Sequence, residues 1–279
     1  MFWRKKAVKE KVIEPIAKDY RAIALTDLGS IRHHNEDQIL FVRPSDKEQR
    51  NEKGFLSIVA DGMGGHAAGE VAAALATHII AKTYYQETSA SPLETLRLCM
   101  EKANEAILAE SKKSISYKGM GTTCTVVAIL NGALHIAHIG DSRAYLIKDR
   151  QIYQLTEDHT YVRELLGTGK INPLEALNHP QRNVLTQALG TVAGRCGDIF
   201  SSEFRLEKND TLLLCSDGLY EYFSNEELKE VILENDFRDA SAYLLDQAKS
   251  RGGHDNISLL IIEESDDLIA STTPTHIIN

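Results

Sequence analysis

The sequence has no apolar run that approaches the ~20 residues needed to cross a bilayer. Its first residues, MFWRKKAVKEKVIEPIAK, contain no apolar core of the kind that secretory signals have. Basic residues are in the minority, with 31 Lys and Arg against 40 Asp and Glu and a formal net charge of -9. Because nucleic acids are bound by basic faces, this balance excludes them as the main partner. We therefore expect a cytoplasmic protein without a membrane span.

Cysteine is also scarce, with four residues in the chain and no C-x-x-C pair. Cys124 and Cys215 lie in apolar, strand-like runs, whereas Cys99 and Cys196 do not. This pattern indicates buried thiols in a reducing compartment rather than a disulfide framework or a cysteine-based metal site.

Short apolar runs separated by turn residues fill most of the chain. The runs TTCTVVAIL and ALHIAHIG flank Asn131-Gly132, a strong hairpin signal, and a second hairpin is predicted around Asp149-Arg150. Helical periodicity occurs in an early pair and a late pair of segments. Their capping boxes are Ser91 with Glu94 and Ser224 with Glu227. This order predicts an α+β protein in which helices cover antiparallel sheets, rather than a βαβ Rossmann fold.

The domain boundaries follow from composition. Residues 20–265 carry the periodic segments and are expected to form one domain, with an N-terminal extension over 1–19 and a C-terminal tail over 266–279. Within the domain, the stretch from about 160 to 182 is polar and broken by Gly and Pro. We expect it to form a mobile flap with a short helix that starts at Asn172-Pro173.

Four aspartates stand at the ends of predicted strands: Asp61, Asp141, Asp217 and Asp255. A single Asp-Gly pair is an ordinary turn former. Four carboxylates at strand ends are costly to desolvate, however, and favour a shared site. Clustered carboxylates repel one another unless they bind protons or hard cations, and oxygen-only ligation favours Mg²⁺ or Mn²⁺.

The motifs around these aspartates resemble, in order, those of the metal-dependent Ser/Thr protein phosphatases, the PPM or type 2C family, in its bacterial form. They are RHHNED, VADGMGGHAAGE, GMGTTC, IGDSRAYL, LTEDHT, CSDGLYE and GGHDNIS, and they span about residues 20 to 264. The resemblance implies a four-layer α-β-β-α architecture, a central sandwich of two antiparallel sheets flanked by helix pairs, with a two-metal cleft at one end.

The resemblance also implies a site built on the strand-end aspartates. Asp61 would bridge two Mn²⁺ or Mg²⁺ ions, the Gly62 carbonyl would bind one of them, and Asp217 and Asp255 would complete the shell of the other. With Arg32 as the phosphate-binding residue, these aspartates form the expected catalytic set. The implied reaction is attack on phosphoserine or phosphothreonine by a hydroxide that bridges the metals.

Further residues follow from the same resemblance. Glu36 and Asp37 would hold metal-bound waters, and Asp141 would bind a third, weaker ion. The histidine that animal and plant relatives carry in DGHGG is Met63 here, so the acid that protonates the leaving group is either His66 or a metal-bound water.

Two alternative functions stay open at this point: a catalytically silent scaffold of the same fold, and a phosphohydrolase for small molecules. The resemblance implies phosphorylated proteins as partners, with a Hanks-type Ser/Thr kinase and its targets among them. We expect the chain to be a signalling enzyme that acts as a monomer.

Overall fold

The computed structural model describes residues 18–64, 68–88 and 91–265. The predicted tail, nearly all of the predicted extension, and His66 lie outside these residues. In the described part of the chain, none of the helices combines the length and the apolar character needed to cross a membrane.

Two antiparallel sheets form the centre of the molecule. The strands of the first are β1 (Tyr20–Asp27), β7 (Arg143–Lys148), β8 (Gln151–Gln154), β10 (Thr211–Cys215) and β11 (Ile257–Glu264). Their order across the sheet is β1-β11-β10-β7-β8. Neighbours in the sheet are therefore often distant in sequence. Strand β11, from late in the chain, pairs with β1, and β10 pairs with β7 from the middle of the chain.

The second sheet holds the remaining strands. They are β2 (Asp37–Val42), β3 (Phe55–Met63), β4 (Gly121–Thr122), β5 (Cys124–Leu130), β6 (Ala133–Ile139) and β9 (Asp198–Arg205). The order is β2-β3-β5-β6-β9, with the short β4 paired to the end of β3. The predicted hairpin at Asn131-Gly132 joins β5 to β6, and both of its residues have the positive φ (51° and 87°) that this tight turn requires.

Helix pairs cover both outer faces. The helices are α1 (Lys47–Lys53), α2 (Ala68–Gln86), α3 (Pro92–Glu110), α4 (Tyr161–Gly167), α5 (Pro173–Leu177), α6 (Asp217–Tyr220), α7 (Asn225–Glu234) and α8 (Phe237–Ser250). Helices α2 and α3 pack on the second sheet, and α7 and α8 pack on the first. Capping boxes begin α3 at Ser91 and α7 at Ser224, as predicted.

Alternating side chains on each central strand fill different cores. On β3, Phe55 and Val59 face the core between the sheets, while Leu56 and Ile58 face α2 and α3. A strand buried on both faces reads as a continuous apolar run, which is why β3 and β10 were recognisable in the sequence. The α+β, four-layer α-β-β-α prediction is confirmed by this arrangement.

The secondary structure differs from the prediction in several places, and helices α1 and α6 were not predicted. The segment from 160 to 182 contains two helices, α4 and α5, where one was expected; α4 begins at the N-cap Thr160, whose side chain accepts from the backbone of Arg163. Strand β9, with the sequence DIFSSEFR, was missed because it is the edge of the second sheet and every residue in it is at least partly exposed. It therefore lacks the apolar character that marks the buried strands.

Candidate active site

The end of the second sheet gathers three of the predicted side chains. In the β2–β3 ladder Asp37 lies directly opposite Asp61, and Asp141 follows the last residue of β6, Ile139, by two positions. Strand β5 runs between β3 and β6. The register of the antiparallel pairing therefore places these carboxylates at the same end of the second sheet.

The first sheet contributes the other two aspartates. Asp217 begins α6 just after β10, and Asp255 lies two residues before β11, the antiparallel neighbour of β10. Ser216 connects the sheets, because its hydroxyl donates to Oδ2 of Asp37 at 2.8 Å while its backbone N–H donates to the carbonyl of Ser258. The ends of both sheets thus meet at one place.

The electrostatics of this place favour cations. Burial raises the pKa of Asp61 well above its ordinary value, and the charges of Asp37, Asp217, Asp141 and Asp255 raise it further. Burial also raises the pKa of Asp217 strongly, the pKa of Asp37 to about 6 and the pKa of Asp141 to about 7. Groups that repel one another when ionised need a positive partner before they can all carry charge at neutral pH.

Two buried oxygens at this place make no hydrogen bond within the described chain, Oδ1 of Asp37 and Oδ1 of Asp217. An unpaired buried carboxylate oxygen is costly, and a hard cation is the partner that such an oxygen fits. In the part of the chain that the structure describes, no three Asp, Glu, His or Cys side chains already stand in a geometry that would hold a metal ion. The fit to a divalent cation therefore rests on the charges, the burial and the unpaired oxygens.

Gly62 has a steric reason to be glycine. A Cβ at this position would lie 2.2 Å from the carbonyl oxygen of Gly69, in the first turn of α2, and 2.6 Å from the carbonyl oxygen of Glu36. The Gly62 N–H donates to that Glu36 carbonyl at 3.1 Å. Glycine at position 62 therefore lets helix α2 start directly against the end of β3 and allows the Glu36 backbone to lie beside it.

Arg32 lies on the loop between β1 and β2. Its Nη2 is 2.6 Å from Oδ2 of Asp255, and its side chain is 48% exposed, so a solvent-borne phosphate can reach it. Glu36, at the other end of the loop, is half-buried, and burial raises its pKa while the nearby Arg32 lowers it.

The residue that holds this loop in place was not singled out from the sequence. Asn256 donates through Nδ2 to the carbonyls of Leu28 (3.1 Å) and His34 (2.9 Å), and its Oδ1 accepts from the Glu36 N–H at 2.8 Å. It directly follows Asp255. The sequence HDN places an amide next to a proposed ligand but does not show which distant backbone groups that amide binds.

The flap is attached beside Asp141. His159 N–H donates to the Gly140 carbonyl at 2.7 Å, and the Gly140 N–H donates back to Nδ1 of His159 at 3.1 Å. The neighbouring Asp158 forms a two-bond ion pair with Arg143, at 2.8 and 2.6 Å. Asp158 and His159, the two residues just before the flap, therefore hold Arg143 and Gly140, which lie on either side of Asp141.

A cavity of about 940 Å³ separates the flap from the first sheet. Asp141 and Arg143 line it on one side, and Val162, Leu166 and Ala176 of α4 and α5 line it on the other. A substrate chain placed there would contact the flap and the carboxylate site together.

The chain is similar in sequence to proteins of one known family. The model of the family described as Protein phosphatase 2C matches residues 33–258. The chain belongs to this family. The serine/threonine phosphatase stp of Listeria monocytogenes serovar 1/2a is 38% identical over 243 residues, which cover 85% of this chain and 93% of that protein. Family, fold class and activity class, a protein-serine/threonine phosphatase, are thereby confirmed.

Solved structures of the Protein phosphatase 2C family share the architecture. The Mycobacterium tuberculosis serine/threonine phosphatase PstP/Ppp superimposes with a TM-score of 0.76 at 34% identity, covering 88% of this chain and 98% of that one. The catalytic domain of PstP in complex with 2 manganese ions gives a TM-score of 0.74 at 32% identity, covering 88% and 99%. The roles of individual residues in this chain stay predictions.

Proposed function

We propose that this member of the family is a metal-dependent protein phosphatase whose reaction takes place where the ends of its two sheets meet. The observation that carries the proposal is the convergence of buried carboxylates from both sheets, with unpaired oxygens on Asp37 and Asp217. A structural neighbour crystallised with 2 manganese ions supports Mn²⁺ or Mg²⁺ as the cofactor. Asp61, the Gly62 carbonyl, Asp217 and Asp255 would hold two ions, and Asp141 would hold a third, weaker one.

Bound divalent cations supply a nucleophile at neutral pH by lowering the pKa of water, and they offset the charge of the phosphate. The chain's own residues bind the phosphate and orient water. Arg32 offers a planar guanidinium that can hold two phosphate oxygens at once. Asp37, fixed by the Ser216 hydroxyl, and Glu36, fixed through its backbone by Asn256, would orient water at the site.

The finer parts of the function are proposals as well. We infer that the substrates are cytoplasmic phosphoproteins, that a Hanks-type Ser/Thr kinase phosphorylates them in signalling, and that the enzyme acts as a monomer. The name of the Listeria relative, a serine/threonine phosphatase, supports phosphorylated serine and threonine as the target residues. The cavity of about 940 Å³ beside the flap offers room for a peptide segment next to Asp141.

The test is turnover by the purified full chain in Mn²⁺ with phosphoserine, phosphothreonine and phosphotyrosine peptides, a panel of phosphorylated metabolites, and nitrophenyl phosphate. We expect hydrolysis of the first two peptides and of nitrophenyl phosphate, loss of all three activities with a chelator, and recovery when Mn²⁺ returns. No hydrolysis of any ester would indicate a silent scaffold, and hydrolysis of metabolites alone would indicate a small-molecule enzyme.

A further inference from the structure

The segment GMGTTC, residues 119–124, lies between two proposed metal-binding aspartates. Thr123 directly precedes β5, the strand between β3 and β6. The ladders pair Val59 with Thr125 on one side and Cys124 with Ile139 on the other. Continued towards the site, these registers place Thr123 beside Asp61 on one flank and Gly140 on the other.

Thr123 binds the backbone of Asp61 in both directions. The Asp61 N–H donates to the Thr123 hydroxyl oxygen at 2.9 Å, and the Thr123 N–H donates to the Asp61 carbonyl at 2.9 Å. The Thr122 hydroxyl donates to the same carbonyl at 2.9 Å. Both peptide groups of Asp61 are thus held by this one segment, outside the regular ladder.

Thr123 also binds the loop that carries Asp141. Its hydroxyl lies 2.8 Å from the hydroxyl of Ser142. Gly140, at φ +105°, packs so closely that a Cβ there would lie 2.5 Å from Cβ of Thr123. The Ser142 carbonyl is fixed in turn by the Thr125 hydroxyl at 2.9 Å. Thr123 is 2% exposed and Ser142 is fully buried, so water cannot replace these bonds easily.

One hydroxyl group therefore joins the two aspartate-bearing segments, accepting from Asp61 and sharing a hydrogen bond with the residue after Asp141. We propose that Thr123 is a positioning residue, whose hydroxyl sets the separation of Asp61 and Asp141 and thereby the affinity of the site for divalent cations. The inference rests on the proposed function. It concerns the separation of Asp61 and Asp141 and not the loop that carries Arg32, which is held by Asp255 and Asn256.

The test uses an isosteric pair of variants. Thr123→Val keeps the shape and removes the hydroxyl, and Thr123→Ser keeps the hydroxyl and removes a methyl group. Thr77→Val is the matched control, because Thr77 is also buried and donates a single hydrogen bond, to the Ala73 carbonyl within α2. Ser142→Ala breaks the same link from its other side and serves if Thr123→Val does not fold.

The main readout is the Mn²⁺ concentration that gives half of the maximal rise in melting temperature, measured without substrate. We expect it to increase about tenfold in Thr123→Val and Ser142→Ala, in the range found for residues that orient metal ligands. It should stay near the wild-type value in Thr123→Ser and Thr77→Val. With phosphopeptide at fixed, limiting Mn²⁺, kcat should fall in Thr123→Val while KM changes little, and added Mn²⁺ should restore part of kcat.

Each outcome decides between the proposals. If wild type shows Mn²⁺ stabilisation and turnover but Thr123→Val and Ser142→Ala behave like Thr77→Val, the positioning role is wrong and the proposed function stands. If Thr123→Ser loses as much Mn²⁺ affinity as Thr123→Val, the methyl packing on Gly140 is responsible and the hydroxyl is not. If wild type shows neither stabilisation nor turnover, the proposed function is wrong and the inference is wrong with it.

Discussion

Arg32 and Asp255 form an ion pair in which Nη2 lies 2.6 Å from Oδ2, although 223 residues separate them in the chain. The side chain proposed to bind phosphate is therefore in contact with a side chain proposed to bind a cation. Nearby, the N–H of Ser30 donates to the carbonyl of Gly253 at 2.7 Å, which joins the same two loops. Phosphate binding and cation binding are thus expected to depend on one shared junction.

Arg32→Ala should raise KM and lower kcat for every phosphate ester, reducing kcat/KM by roughly 10- to 100-fold, the cost of a hydrogen bond to a charged group. Arg32→Lys should restore only part of the lost kcat/KM, because an ammonium cannot hold two phosphate oxygens in a plane. Steady-state kinetics with nitrophenyl phosphate and a phosphopeptide measure this. Arg21→Ala is the control, since Arg21 is also exposed and paired to a carboxylate, that of Glu263. Unchanged kinetics in Arg32→Ala would show that another residue binds the phosphate, and the exposed Arg182 is the next candidate.

Asp61→Asn, Asp217→Asn and Asp255→Asn should each remove nearly all turnover, more than the roughly 100-fold lost with an outer partner of a ligand. The metal-free variants at Asp61 and Asp217 should nevertheless melt at or above the wild-type temperature, because a neutral amide avoids both the burial of charge and the repulsion that raise the pKa of these carboxyls.

The same aspartate variants should lose most of the rise in melting temperature that Mn²⁺ gives wild type by binding the folded state. The matched control is Asp246→Asn, at an exposed aspartate on α8. It should change neither turnover nor the rise in melting temperature with Mn²⁺. Turnover near the wild-type rate in Asp61→Asn at saturating Mn²⁺ would contradict a site with two ions.

The stability that Asp37 and Asp141 contribute should depend on pH, and bound metal should change that dependence. In the folded, metal-free protein the pKa of Asp37 is raised to about 6 and that of Asp141 to about 7, whereas unfolded Asp titrates near 3.9. Between about pH 4 and about pH 7 the unfolded chain has therefore lost protons that the folded chain still holds. Stability from these groups must fall as pH rises through this window.

Thermal melts in chelator and in Mn²⁺ between about pH 4 and about pH 7 test whether stability falls as pH rises. Mn²⁺ should stabilise more at about pH 7 than at about pH 5, because the cation competes with protons for the same carboxylates. Asp141→Asn removes one titrating group, so its chelator curve should fall less steeply than that of wild type. Equal slopes in wild type and Asp141→Asn would show that the Asp141 carboxyl does not contribute.

Asp61, Asp141 and Asp217 were predictable because each stands where a buried apolar run stops, and Asp255 because it stands just before such a run begins. Asp61 follows FLSIVA and Asp217 follows LLLCS, and a charge at such a place is visible without knowledge of the fold. What the sequence did not indicate was that Asp217 begins the short helix α6.

The supporting residues were not predictable in the same way. Asn256, Ser216 and Thr123 act through partners 220, 179 and 62 residues away, respectively, so their roles depend on strand order and register. A buried hydroxyl or amide has the same appearance in the sequence whether it closes a turn or holds a ligand. Only the pairing of β5 with both β3 and β6 shows that Thr123 joins two aspartates.

The leaving-group proton gives the last prediction. A serine alkoxide needs a proton in the transition state, whereas a nitrophenolate leaves well without one, so a general acid matters for phosphopeptides alone. Met63 has no proton to give, and its side chain packs toward Gly121, where an added Cβ would lie 2.7 Å from its Cε. His66, outside the described residues, is the remaining side-chain candidate in the loop. We expect His66→Ala to slow phosphopeptide and nitrophenyl phosphate by a similar, modest factor, because we assign the proton to water at the site and only a loop-ordering role to His66. A loss of about 100-fold or more for phosphopeptides alone, the size of a general-acid effect, would show that His66 is the acid.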